Sequence, residues 1–208
     1  MALIPVHIGH SMALEQVSLP SLGRMMVFVD GENLVFRYQA MLEEGREPRD
    51  DVNHEKDAYV WQSNTVRPGL NHVIRAWYYT YAVGDDSKIF EITEKIKSLR
   101  YSQFSDPRAN IVTGKLLRNL YPKVFRKIRG KKAKGVDIQL TVDILSNVYM
   151  NNVDSIFLVS GDGDYKPVIE EAIRFGKNVY VAALSSGLNK DLKNAADSFI
   201  DLDGQYFK

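Results

Sequence analysis

The chain has 208 residues, 45% of them hydrophobic, with 27 basic and 26 acidic side chains and no cysteine. That length and apolar content suit one globular domain with a sizeable core, and the lack of Cys excludes disulfides and thiolate metal centres. A net charge of +1 names no partner, no apolar run reaches membrane-span length, and residues 1–24 do not read as a signal peptide, so a cytoplasmic location is expected.

In chain order, residues 1–23 read as an N-terminal extension or arm. Met25–Val29 is a short continuous apolar run, the mark of a buried parallel strand, and Asp30-Gly31-Glu32-Asn33 breaks it. Leu34–Leu42 repeats apolar residues at helical spacing and stops before Gly45. The polar stretch 46–69, with Pro48 and Pro68, reads as an insertion or long loop, with Ala58–Trp61 as its ordered piece. Val73–Val83 is rich in β-branched and aromatic residues and predicts a strand. Asp85 is placed to cap a helix from Ser87 to Leu99, with Ile89, Phe90, Ile92, Ile96 and Leu99 on one side. Arg100–Leu120 has no clear period, and Val124–Ile128 suggests a strand leading into a basic loop. The rest alternates regularly: helix Val136–Tyr149 (Ile138, Val142, Leu145 and Val148 or Tyr149 expected inward), strand Ser155–Val159, helix Tyr165–Phe175 closed by Gly176, strand Val179–Leu184, helix Leu188–Ala196 and strand Ser198–Leu202. This alternation implies βαβ units, hence an α/β fold around a mostly parallel sheet.

Ligands of open parallel sheets bind outside the carboxyl ends of the strands. Asp30 follows the first strand. Asp162 and Asp164 follow the Ser155–Val159 strand within Ser160-Gly161-Asp162-Gly163-Asp164, where two glycines let the backbone turn sharply. Asp137 opens the preceding helix, whose start is expected at the same end of the sheet. Each residue alone reads as readily as a cap or turn. The conjunction of three loops favours a shared acidic site. Two like charges ~4 Å apart repel by roughly 4 kcal/mol at an effective dielectric near ~20, so the cluster calls for a cation or for protonated members. An all-oxygen set without Cys or His favours Mg²⁺ or Mn²⁺ over Zn²⁺, and such ions suit attack of water on a phosphodiester. Asn33 is placed to orient Asp30. Asp143, about 240° round the helix from Asp137, falls outside the first set.

Three phrases then gain a family likeness: Phe28-Val29-Asp30-Gly31-Glu32-Asn33-Leu34, Lys134-Gly135-Val136-Asp137-Ile138 and Ser160-Gly161-Asp162-Gly163-Asp164-Tyr165. In this order and context they resemble the signature motifs of NYN domains, the PIN-like nuclease domains of LabA-like (DUF88) proteins. The resemblance covers about Met25 to Leu202. It implies a PIN-like three-layer α/β/α sandwich over residues 24–208, with the insertion at about 46–69. It also implies a metal-dependent ribonuclease, or a regulator of the same fold. The family's acidic positions correspond to Asp30, Asp137, Asp162 and Asp164, and its polar Asn to Asn33. Gly163 stands where Ser is frequent, and Tyr165 where Phe is common.

A run of cations, including Arg129, Lys131, Lys132 and Lys134, immediately precedes the Asp137 motif. These four residues are expected to engage RNA phosphates beside the acidic site. The sequence thus leads to an Mg²⁺- or Mn²⁺-dependent ribonuclease acting on RNA, with no membrane partner. A homo-oligomer or a regulatory protein partner is compatible with it. The rival is an RNA-binding or protein-interaction module with little or no turnover. A phosphatase of the haloacid dehalogenase type fits poorly, because that class needs Asp-x-Asp followed by Thr, not Asp30-Gly31-Glu32-Asn33.

Overall fold

The computed structural model describes residues 2–8, 11–17, 23–69, 71–104, 115–127 and 135–208. Strands β1 (Ala2–Ile8) and β2 (Ser11–Val17) pair antiparallel as a hairpin of their own. The body begins with β3 (Arg24–Asp30) and α1 (Gly31–Glu43). Within the polar stretch that follows, β4 (Asn53–Glu55) and β5 (Tyr59–Trp61) form a short hairpin. Next come β6 (His72–Val83) and α2 (Asp86–Ser98), whose N-cap Asp85 accepts the Lys88 amide as the sequence led one to expect. The unassigned stretch after α2 holds a further antiparallel pair, β7 (Arg100–Phe104) and β8 (Lys115–Asn119). The chain then runs through β9 (Tyr121–Lys127), α3 (Val136–Tyr149) and β10 (Ser155–Val159). It finishes with α4 (Lys166–Arg174), β11 (Asn178–Ala183), α5 (Lys190–Ala195), β12 (Ser198–Asp201) and the short α6 (Asp203–Tyr206).

Six strands form one parallel sheet in the order β12-β11-β10-β3-β6-β9. Side chains alternate across it, so each central strand feeds two cores. Val27, Val29, Phe157 and Val159 meet α1 and α2 on one face. Phe28, Ile156 and Leu158 meet α3, α4 and α5 on the other. The result is a three-layer α/β/α sandwich. Val60 and Trp61 of the short hairpin are fully buried in the first core, so residues 46–69 do more than bridge two elements.

Two helix faces differ from expectation. On α3 the buried positions are Val136, Leu140, Ile144 and Val148, whereas Ile138, Val142 and Tyr149 are exposed and Leu145 packs only partly. The helix carries two apolar stripes, and periodicity could not choose between them. Asp143 chooses: its carboxylate accepts from Tyr79 Oη (2.6 Å), Lys123 Nζ and Gln139 Nε2 (3.0 Å), which fixes the rotation of α3 over the sheet. On α2, Ile92 and Ile96 are fully buried, but Phe90 faces solvent.

The start of β3 is tied to the turn before β10. Asp154 accepts the backbone N–H of Arg24 (2.7 Å) and two bonds from its guanidinium (3.1 and 2.9 Å). The Arg24 side chain, then its backbone N–H, hold the Asp154 carboxyl down at about 2. A depressed pKa contributes stability above the unfolded value of about 4 that is lost as pH falls through the folded one. Both partners are nearly half exposed, which limits the effect. Asp154→Asn is expected to lower unfolding free energy by roughly 0.5–1 kcal/mol at neutral pH, with the gap closing as pH drops from about 4 toward 2. Urea melts across that range check it; a gap that stays constant would show that charge plays no part.

Candidate active site

The connectivity leaves β3 toward β6 on one side, while β10 leads to β11 on the other. Such a reversal opens a crevice at the carboxyl ends of the two neighbouring strands. Asp30 ends β3, and Ser160–Asp162 follows β10 directly. Asp137 arrives on the second residue of α3, where the helix dipole favours a negative charge.

A cavity of about 240 Å³ opens here, lined by Asp30, Glu32, Asn33, Phe36, Tyr81, Asp137 and Asp162. Four of the five residues expected from sequence therefore share it. Asp30 is 2% exposed; its Oδ1 accepts the Asn33 backbone N–H (3.1 Å) and its Oδ2 accepts Ser160 Oγ–H (2.9 Å). Asn33 in turn accepts the Gly161 backbone N–H at its Oδ1 (3.1 Å), so its side chain clamps the two loops together. Ser160 Oγ also accepts the Asp162 N–H (3.1 Å). Tyr165, buried beneath, donates to Asp137 Oδ1 (3.2 Å).

Asp164 is placed differently. It is exposed, it does not line the cavity, and its backbone N–H donates to Asp162 Oδ1 (3.0 Å). Glu32 also lines the cavity. So do Phe36, one helical turn beyond Glu32 and 61% exposed, and Tyr81, which carries Lys127 Nζ 3.7 Å from its ring centroid. A signal for Glu32 and Phe36 did exist: they are i and i+4 on the helix that Asp30 caps.

The electrostatics are strained in one direction. Burial pushes the Asp30 carboxyl up to about 7, opposed by the bonds from Asn33 and Ser160 and reinforced by the charges of Asp137 and Glu32. Burial also raises Glu32, with Lys127 pulling it down and Asp137 pushing it up. Burial, then the charges of Asp30 and Asp137, raise the Tyr165 phenol, so this hydroxyl stays a proton donor.

Among the described residues, no three carboxylates or imidazoles already converge as a closed ligand cluster. The donor set is all oxygen, gathered around one small cavity. Mg²⁺ bound through one or two carboxylates, with water completing its shell, suits such a set; a caged ion does not. Asp30, Glu32, Asp137 and Asp162 are the acidic side chains that line this cavity.

Arg129, Lys131, Lys132 and Lys134 lie outside the described residues. On either side of them, Lys127 pairs with Val83 at the carboxyl edge of the sheet, and Gly135 precedes the helix that carries Asp137. Arg126 pairs with Asp86, and Lys123 with Asp143. Among the described residues, no helix is long and apolar enough to cross a membrane.

The sequence profile of the NYN domain matches residues 24–203. An uncharacterized protein of Methanocaldococcus jannaschii is 30% identical over 121 residues, which make up 54% of this chain and 48% of that protein. The match thus spans about half the length of the archaeal relative. The low amplitude and bright protein LabA of Synechococcus elongatus is 25% identical over 181 residues, covering 86% of this chain and 83% of LabA. A solved structure, a protein of unknown function from Vibrio parahaemolyticus, superposes with a TM-score of 0.59 at 18% identity, over 91% of this chain and 100% of that one. At that identity the likeness speaks for the fold alone.

Proposed function

This chain belongs to the NYN domain family, in its LabA-like branch, and we propose that it is a divalent-metal-dependent ribonuclease. The observation that carries the reading is the cavity itself, which is lined by carboxylates from β3, α1, α3 and the turn after β10 and by an exposed aromatic ring. Asp30, Glu32, Asp137 and Asp162 would hold Mg²⁺ or Mn²⁺. Such an ion polarises phosphoryl oxygens and makes bound water nucleophilic for attack on the phosphodiester. The chain's own residues do the rest. Asn33 and Ser160 keep the two strand ends in register through their bonds to Gly161 and Asp30. Tyr165 holds Asp137 toward the cavity. Lys127, with Arg129, Lys131, Lys132 and Lys134, would neutralise the phosphates of the RNA strand.

Asp162→Asn is expected to reduce metal-dependent cleavage of RNA to near background, because it removes a charge facing the cavity while the loop bond to Asp164 can survive. The assay needs parallel reactions with chelator. Cleavage at the wild-type rate by this variant would leave the assignment without its basis.

Phe36 gives a second handle. A ring so exposed adds little to the core, and stacking of an unpaired base on an aromatic face is worth about 1–3 kcal/mol. Phe36→Ala is therefore expected to weaken single-stranded RNA binding by roughly ten-fold or more, with stability changed by less than about 0.5 kcal/mol. Fluorescence anisotropy in chelator measures binding without turnover. Equal affinity of variant and wild type would remove Phe36 from the RNA path.

The open ligand set also supports a second reading, in which the same fold binds RNA as a regulator with little or no turnover. It predicts salt-sensitive RNA binding without metal-dependent products. Cleavage that scales with wild-type protein and vanishes in Asp162→Asn excludes it.

A further inference from the structure

A larger cavity, of about 820 Å³, lies far from the acidic one. The strand register locates it. Gln103 on β7 lines this cavity and bonds the ring of His72, the first residue of β6, whereas Asp30 pairs with Tyr79 further along β6. The length of strand from His72 to Tyr79 puts roughly 23 Å between the two places.

Its walls are polar and organised. Arg49 and Arg67 line it, together with Asp51, Val66, Gln103 and Gln205. Gln205 is 7% exposed; oriented by its surroundings, its amide oxygen accepts from Arg67 Nε (3.3 Å) and Nη2 (2.8 Å), and its nitrogen donates to the Asn64 carbonyl (2.8 Å). Asp51 accepts from the buried Gln62 amide (2.9 Å) and has Arg49 Nε 3.5 Å away. Gln103 stands apart from this order. It is 4% exposed, its Nε2 lies 2.8 Å from His72 Nδ1, and its Oε1 has no hydrogen-bond partner among the described residues. Reversing the amide against the other His72 tautomer only transfers the deficit to the nitrogen. Either way, one polar atom of this enclosed amide is left unmet in the wall behind the cavity.

We propose that this cavity binds a mononucleotide. Planar guanidinium groups match phosphate geometry, and Arg67 commits only two of its five donors to Gln205. Val66 supplies an apolar wall for a ring. The volume falls within the range of small-molecule sites, about 300–1,000 Å³. Nothing in this assignment uses the acidic cavity, so it stands or falls apart from the ribonuclease reading.

The test is calorimetric titration of the full chain, in chelator, with the four ribonucleoside monophosphates, their nucleosides and orthophosphate. At least one monophosphate is expected to bind saturably, more tightly than its nucleoside and than orthophosphate. Arg49→Ala, at a side chain nearly half exposed, is expected to keep the fold and weaken that binding about ten-fold or more. Asp30→Asn should leave binding unchanged. The proposal is overturned if no monophosphate binds at millimolar concentration, or if orthophosphate binds equally well. It is likewise overturned if binding survives Arg49→Ala but is lost in Asp30→Asn, which would place the nucleotide in the acidic cavity.

Discussion

Asp30→Asn is expected to abolish metal-dependent RNA cleavage, by about a thousand-fold or more, while leaving the metal-free protein more stable than wild type at pH 8. The two effects share one cause. Asp30 is buried with its carboxyl pushed up to about 7, so the folded state holds its proton more tightly than the unfolded chain does. Stability then falls as pH rises from about 4, the unfolded value, toward 7, and the lost stabilisation can reach a few kcal/mol. Asn keeps the shape and carries no charge, so the variant escapes this loss. Its advantage should shrink toward pH 4 and vanish below it, where the wild-type residue is protonated in both states. Added Mg²⁺ should stabilise wild type and leave the variant where it was. Thermal melts with and without Mg²⁺, beside cleavage assays, read both effects. A variant less stable than wild type at pH 8 would mean that Asp30 is held by its hydrogen bonds rather than strained by burial.

Gly31→Ala should also be damaging, although it touches no charge. A methyl group there would strike the Tyr78 ring and lie 2.7 Å from the Tyr79 carbonyl oxygen. Neither can retreat. Tyr78 is fully buried and its hydroxyl bridges the backbone of Val60, accepting its N–H (3.2 Å) and donating to its carbonyl (3.1 Å); Tyr79 is in the ladder beside Asp30. Overpacking of this kind costs about 1–3 kcal/mol. The first turn of α1 must shift instead, carrying Asn33 away from Gly161 and disturbing Asp30. Displacements near ~1 Å can cost a hundred-fold in rate, so cleavage is expected to drop by about ten- to a hundred-fold. Denaturant melts and initial rates test it together. Wild-type stability in this variant would contradict the close approach.

Much of this was legible before any coordinates. Apolar runs ending in Asp30 and Ser160-Gly161-Asp162 announce buried parallel strands that deliver carboxylates to one edge, and the reversal between β3 and β10 brings them together. What sequence could not settle was rotation. Glu32 and Asp164 both sit in the first turn after a strand, yet Glu32 turns into the cavity. Asp164 turns out because the Asp162 side chain caps its N–H and Tyr165 occupies the inward position. The same ambiguity gave α3 the wrong buried stripe, since Ile138 and Val142 are as apolar as Leu140 and Ile144. Only the bonds from Tyr79 and Lys123 to Asp143 decide it, and those residues are far apart in the chain. The large cavity left no trace at all: Arg49, Arg67, Gln103 and Gln205 come from separate segments and share no spacing.

Manganese binding offers the most direct test of the claim that these oxygens are gathered for a cation. Titration of the full chain with Mn²⁺, followed by calorimetry or by the loss of free-ion paramagnetic signal, is expected to show saturable binding that weakens sharply in both Asp30→Asn and Asp162→Asn. Binding that is absent, or equally strong in wild type and both variants, would contradict the account.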